Sequence, residues 1–279
     1  MIKRVFQREP LVFWGAAIII LLLLTALTAQ WMAPYDPIQQ DLSNHLSAPS
    51  WRHWMGTDQF GRDVFSRLLY GSRISLSVGI VAVSIYVFIG ATVGSVAGFY
   101  KGWVDGLLMR FVDVMNSIPT FFLILMVIAF VGPNILNVMV VIGLTSWTDV
   151  ARLVRGEILS LREREFIQAA RVIGMKDSRI ILRHLLPNAL GPVLVVATLG
   201  IGGAILVESS LSFLGLGVQP PTASWGNMLL EGKEHLTDAW WLVVFPGFAI
   251  FTTVMGFNLL GEGLRDLLDP RLRGSGRNG

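Results

Sequence analysis

Five long stretches without a single charged side chain constrain this sequence more than any other feature. Leu11–Ala29, Ile74–Tyr100, Val114–Thr148, Leu185–Val207 and Ala239–Gly261 contain no Asp, Glu, Lys or Arg. A helix needs about 20 apolar residues to cross a hydrocarbon layer about 30 Å thick. Four of the runs therefore suit one crossing each. Val114–Thr148 is too long for one, and Gly132-Pro133-Asn134 inside it reads as a turn. Splitting it there gives a third span starting near Asp105, a fourth ending near Arg155, and six spans in all. Composition agrees: 53% of the 279 residues are hydrophobic and 15% charged, where soluble domains carry about 25% charged residues. The expected fold class is an all-α integral membrane protein with six transmembrane helices.

Lys and Arg fix the expected sidedness. Seventeen lie on the side of both termini and five on the other, the five being Arg52, Arg62, Arg67, Arg73 and Lys233. By the positive-inside rule both termini are cytoplasmic. The resulting layout has a cytoplasmic N-terminus at 1–10, a first helix at 11–31 and an outer loop at 32–73. A five-helix core at 74–265 follows, carrying a cytoplasmic loop at 156–187 and an outer loop at 214–238, with a cytoplasmic tail at 266–279. Lys3, Arg4 and Arg8 before the first run resemble a signal-peptide start, but the run is long and no small-x-small cleavage site follows, so a retained helix is expected. Trp31, Trp103, Trp147, Trp240 and Trp241 fall near span ends, where amphipathic rings favour the interface.

The enzymatic signals weighed here are missing. There is no Gly-x4-Gly-Lys-Ser/Thr, no His-Glu-x-x-His, no Gly-x-Ser-x-Gly and no cysteine. His53, Asp58 and Asp63 could offer metal ligands, yet a polar loop of this composition reads as solvated, so no metal, catalytic or cofactor site is expected. The net charge of +3 gives no reason to expect nucleic acid. Gly90, Gly94 and Gly98 form a flat stripe that another helix can approach closely. Pro119 should kink the third span, and Gly200, Gly202 and Gly203 should loosen the fifth. Arg110 and Asp113 are spaced to pair along one helix. Glu208, directly after a charge-free run, is a candidate for the translocation path or a gate, as is Pro119.

The most informative segment is Arg162–Pro187. Glu163–Ile173 reads as a short helix, which Gly174 would end in the left-handed conformation. Asp177 or Ser178 would cap a second helix over Arg179–Leu186, and Pro187 marks entry to the fifth span. Small Ala169 and Ala170 beside apolar neighbours suit insertion into a groove on a partner; a helix lying on the membrane surface is the alternative.

Gln168-Ala169-Ala170, Gly174 and Leu185-Leu186-Pro187 together resemble the EAA loop of ABC-importer permeases. Gln168 and His184 stand where that pattern has Glu and Ile. Further segments resemble the second, C-type permease of the peptide/nickel subfamily. These are His53–Asp58 with Gly61-Arg62-Asp63, Ser212–Gly217 with Pro220-Pro221 and Trp225-Gly226, and Asn258 with Gly261–Asp266 and Asp269-Pro270-Arg271. The resemblance covers residues 5–273. It implies a type I ABC-importer permease fold (MetI-like) in a bacterial or archaeal cytoplasmic membrane, amid membrane lipid. The implied partners are a homologous second permease, two cytoplasmic ATPases that bind ATP and Mg, and an extracytoplasmic solute-binding protein. The implied solutes are dipeptides, oligopeptides, glutathione or nickel chelates. Gln168, Ala169, Ala170, Ile173, Gly174, Met175, Asp177 and Pro187 are the candidate ATPase-coupling residues; Asp58, Arg62, Asp63 and Trp225 are the candidate binding-protein contacts. A stand-alone channel or secondary transporter is the reading from a different class.

Overall fold

The computed structural model describes residues 10–268. The tail 269–279, with Asp269-Pro270-Arg271, and residues 1–9, with Lys3, Arg4 and Arg8, lie outside the described residues. Eleven α-helices follow in order among the described residues: α1 Pro10–Met32, α2 Val64–Tyr100, α3 Gly102–Asn116, α4 Thr120–Val131, α5 Ile135–Thr145, α6 Thr148–Leu161, α7 Glu165–Val172, α8 Asp177–Ile180, α9 Leu186–Phe213, α10 Trp225–Gly232 and α11 Trp241–Leu268. A π-turn at Ile181–Leu185 joins α8 to α9, so one rod runs from Asp177 to Phe213. Five continuous rods are long and apolar enough to span: α1, α2, α5–α6, α8–α9 and α11. The pair α3–α4 is apolar enough only when taken together, and it is bent by 81°, as in a broken sixth span or a re-entrant loop.

That bend is sharper than the kink expected at Pro119. Helix α3 ends at Asn116, and Pro119, exposed in the break, precedes the first turn of α4. Proline has no N–H to donate and disfavours helical conformation in the residue before it, so the chain stops and restarts. Asn134 restarts it after the turn at Gly132, accepting the Leu136 N–H at 2.9 Å.

Helix α2 is the central post, packing against α1, α5, α6 and α9. It begins at Val64, not Ile74, because Asp63 caps it by accepting the Ser66 N–H at 2.8 Å. Its 37 residues rise about 55 Å at 1.5 Å each, more than an apolar layer of about 30 Å needs, and its first turns sit in a cap formed with α10. The glycine stripe does what its spacing requires. A Cβ on Gly90 would lie 2.6 Å from Val150 Cβ, one on Gly98 would lie 2.9 Å from Arg155 O, and one on Gly94 would overlap Ala151 O. Helix α6 therefore lies backbone to backbone on α2. Gly200, by contrast, sits in unbroken helix and admits the Tyr86 hydroxyl rather than loosening α9.

Two of the expected interfacial tryptophans are packed inside. Trp147 and Trp241 are buried, while Trp31, Trp103 and Trp240 are exposed. Asp113 pairs across helices with Arg152 at 2.7 Å, not along its own helix with Arg110.

Candidate functional site

The segment after α6 is clamped at its entry. Arg162 Nη1 donates to Phe99 O at 2.5 Å, and Lys101 donates to Glu163 at 3.0 Å. The Lys101 ammonium holds the Glu163 carboxyl below its ordinary value. Arg155 grips Asp105 through two hydrogen bonds of 2.5 and 2.6 Å. These ties join the α2–α3 corner to the end of α6, so α7 leaves a fixed point.

Helix α7 ends in a Schellman motif. The Met175 N–H donates to Ala170 O at 3.1 Å and the Gly174 N–H to Arg171 O at 2.9 Å. Gly174 has φ +76°, the left-handed conformation that glycine adopts without strain. The chain then turns directly into the α8–α9 rod. Lys176, not Asp177 or Ser178, occupies the cap position of α8, and Asp177 is its first residue. The π-turn carries α8 into the span with no separate helix over Arg179–Leu186. Pro187 directly follows the π-turn inside the continuous rod, where a residue without an N–H interrupts the regular helical hydrogen-bond ladder.

The two faces of α7 divide differently from the sequence expectation. Ile167 and Ala170, three apart, turn inward and join Ile180 and Leu185 in the main core. Ala169 is exposed, so the two alanines do not share one outward face. Met175 is half-buried against the same core. Gln168 Nε2 reaches back to Arg162 O at 3.2 Å. The outward apolar residues are Val172, 87% exposed, and Ile173, 74% exposed; Phe166 and Leu182 are exposed as well. Sequence reasoning missed Val172; the inward i, i+3 pair Ile167 and Ala170 would have flagged it as lying off the buried face.

The cap at the head of α2 is built from the residues expected to meet a binding protein, and it buries them. Asp58 accepts from Arg62 Nε at 2.6 Å and from the Phe60 N–H at 2.9 Å. Arg62 and Arg67 both donate to Glu231 of α10, at 2.7 and 2.9 Å. His53 pairs with Asp63 at 2.9 Å while Asp58 pairs with Arg62, so among the described residues the three do not converge on one metal position. Trp225 donates from Nε1 to Leu68 O at 3.1 Å and is buried. Asp58, Arg62, Asp63 and Trp225 thus hold the loops to the top of α2 and present no surface for docking. Exposed on the same cap are Trp51, 97% exposed, and Trp54, with Leu42 and Tyr35.

Glu208 is also internal. It is fully buried and accepts from the Ser212 hydroxyl at 2.7 Å, with the Ser75 and Ser209 hydroxyls at 3.4 Å. The Trp225 N–H donates to Ser75 Oγ at 3.3 Å, so this cluster ties α9, α2 and α10 together. A carboxylate enclosed by hydroxyls on its own chain does not line a path.

Five spanning rods and the bent α3–α4 pair, arranged around α2 with a bent segment standing off one end, have the architecture of a multi-pass permease core. The family described as binding-protein-dependent transport system inner membrane component matches residues 90–274, and the N-terminal transmembrane domain of oligopeptide transport permease C matches residues 1–49. The chain belongs to this family of binding-protein-dependent ABC-importer permeases. It is similar to the dipeptide transport system permease protein DppC of Alkalihalophilus pseudofirmus, with 44% identity over 96% of this chain and 88% of that protein. It is also similar to the glutathione transport system permease protein GsiD of Escherichia coli, with 46% identity over 97% of this chain and 90% of that protein. Its fold resembles a chain of the MetNI methionine ABC transporter in an inward-facing conformation, with TM-score 0.55 and 19% identity over 71% of this chain and 96% of that one. The chain is therefore a transport subunit rather than an enzyme, and the family replaces the stand-alone channel or secondary transporter.

Proposed function

We propose that this chain pairs with a homologous second permease and moves small peptides or glutathione-like solutes inward, driven by ATP hydrolysis on two cytoplasmic ATPases that hold ATP and Mg. Its 44–46% identical relatives carry dipeptide and glutathione names, and such solutes share backbone amides and an ammonium end. An extracytoplasmic binding protein delivers the solute to the outer cap, where Trp51 and Trp54 replace the buried Asp58, Arg62, Asp63 and Trp225 as the contact candidates. Both termini lie in the cytoplasm of a bacterial or archaeal cell.

The observation that carries the coupling role is the α7 bend. Val172 and Ile173 stand exposed beside a glycine-locked turn, outside the apolar layer, at the head of the α8–α9 rod. Exposed apolar side chains on a rigid turn suit a groove on a partner. Motion of that partner would pass along one continuous helix from Asp177 to Phe213. Gln168, Ala169, Val172, Ile173, Gly174 and Asp177 form the coupling surface, Ala170 and Met175 support it from behind, and Pro187 marks where the rod continues.

The test is reconstitution of the chain with its cognate permease, ATPases and binding protein in proteoliposomes. ATP-dependent uptake of a dipeptide, absent without the binding protein, is expected. Uptake independent of ATP would overturn the proposal.

A further inference from the structure

A cavity of about 420 Å³ opens on the surface between α2, α5–α6 and α9. Its walls are mainly apolar, as at Val196 and Val207, but Tyr86, Ser146 and Asp149 also line it. Tyr86 is only 6% exposed, yet its hydroxyl makes no hydrogen bond among the described residues. A Cβ at Gly200 would fall on that hydroxyl, so glycine there leaves the phenol room at the cavity wall. Asp149 is exposed and forms no ion pair among the described residues. The arginines that follow it are engaged elsewhere, Arg152 with Asp113 and Arg155 with Asp105.

Asp149 sits where the charge-free run Val114–Thr148 ends, in the first turn of α6. Asp149 lies within the spanning rod Ile135–Leu161, and an unpaired carboxylate on such a segment is costly against lipid and belongs on a face turned to water or to a transported solute. The chemistry of the set is one-sided. A carboxylate only accepts hydrogen bonds, and each hydroxyl can accept as well as donate. Its natural complement is a cation with several N–H donors, and an ammonium group carries three.

We propose that this cavity is a transit subsite for the ammonium group of the transported solute, with Asp149 as its charge partner and the Tyr86 and Ser146 hydroxyls as further acceptors. The inference rests on the importer function proposed above and names the end of the solute that this half of the path recognises. Three acceptors open to water suit brief occupancy, since a site on a conduction path must release what it binds.

The test uses the absence of native cysteine. In proteoliposomes holding the full transporter, radiolabelled Ala-Ala serves as the probe. Asp149→Cys should lower ATP-driven uptake about tenfold, the loss expected for one charge-assisted hydrogen bond. Adding an anionic sulfonatoethyl group to that cysteine should restore uptake, and a cationic trimethylammonioethyl group should not. Asp149→Glu should retain uptake, and Tyr86→Phe should lower it severalfold. Full uptake by Asp149→Cys, or equal effects of the two adducts, would overturn the subsite while leaving the importer function standing. Failure of the unaltered transporter to carry Ala-Ala would instead remove the peptide-import reading and the subsite with it.

Discussion

Glu231→Gln tests whether the outer-cap charges are structural. Glu231 accepts hydrogen bonds from both Arg62 and Arg67, and Asp58 supplies the second negative charge. The Arg62, Arg67 and Asp58 side chains are each 4% exposed or less, while Glu231 is 14% exposed. Neutralising Glu231 leaves two buried guanidiniums facing one carboxylate. Removing one partner of a buried ion pair costs about 3–5 kcal/mol. The partial exposure of Glu231 puts the expected loss near the lower end, about 3 kcal/mol. At about 2–4 °C per kcal/mol for a domain of this size, the melting midpoint should fall by roughly 6–12 °C. Tryptophan fluorescence of the detergent-solubilised protein reads this directly, because Trp225 and Trp241 pack under the cap. Capture of the binding protein at low temperature should be unchanged. An unaltered midpoint with binding-protein capture lost would refute the reasoning and return these charges to a docking role.

Gly94→Leu forces a side chain into Ala151 O and Val154; it should destabilise the α2–α6 contact by about 1–3 kcal/mol or more, read as earlier unfolding in a detergent titration. Ala169→Glu, on the exposed face, should leave the permease midpoint unchanged and weaken ATPase pull-down at least about tenfold, whereas Ala170→Glu buries a charge and should destabilise the permease itself. Gly174→Val meets no neighbour within 4 Å but must hold φ +76°; the strain of about 1–2 kcal/mol should lower ATP-driven uptake with membrane insertion intact. Cysteines at Ser50 and Thr222, both exposed, should react with an impermeant reagent outside intact cells, and one at Ser178 only after permeabilisation; outside labelling at Ser178 would reverse the orientation.

Much of the architecture was legible because membrane crossing imposes it. Apolar runs must be helical, as a backbone in lipid has no other way to satisfy its polar groups, and Gly90, Gly94 and Gly98 announced a close helix contact. The left-handed Gly174 was legible for a similar reason: few residues tolerate that conformation. What stayed hidden was which polar side chains face inward. Asp58, Arg62 and Asp63 fall in a loop rich in turn residues, and composition cannot tell a solvated loop from one folded onto α10, the helix that Trp225 begins, about 170 residues later. Glu208 looked available because its serine partners Ser75 and Ser212 come from two helices. Asp149 is inconspicuous in the sequence because Arg152 follows at helical pairing distance. Only the helix packing reveals that this arginine is committed elsewhere.

The central claim is that the α7 bend is where this permease meets its ATPases, and photo-cross-linking from the bend tests it most directly. A cross-linking residue at Val172, exposed and pointing away from the core, should capture an ATPase subunit in intact membranes, while one at buried Ile167 should not. Capture from Val172 should change with bound nucleotide as the ATPases move. Absence of any ATPase adduct from Val172, Ile173 and Ala169, in membranes where the assembled transporter still carries solute, would contradict the account.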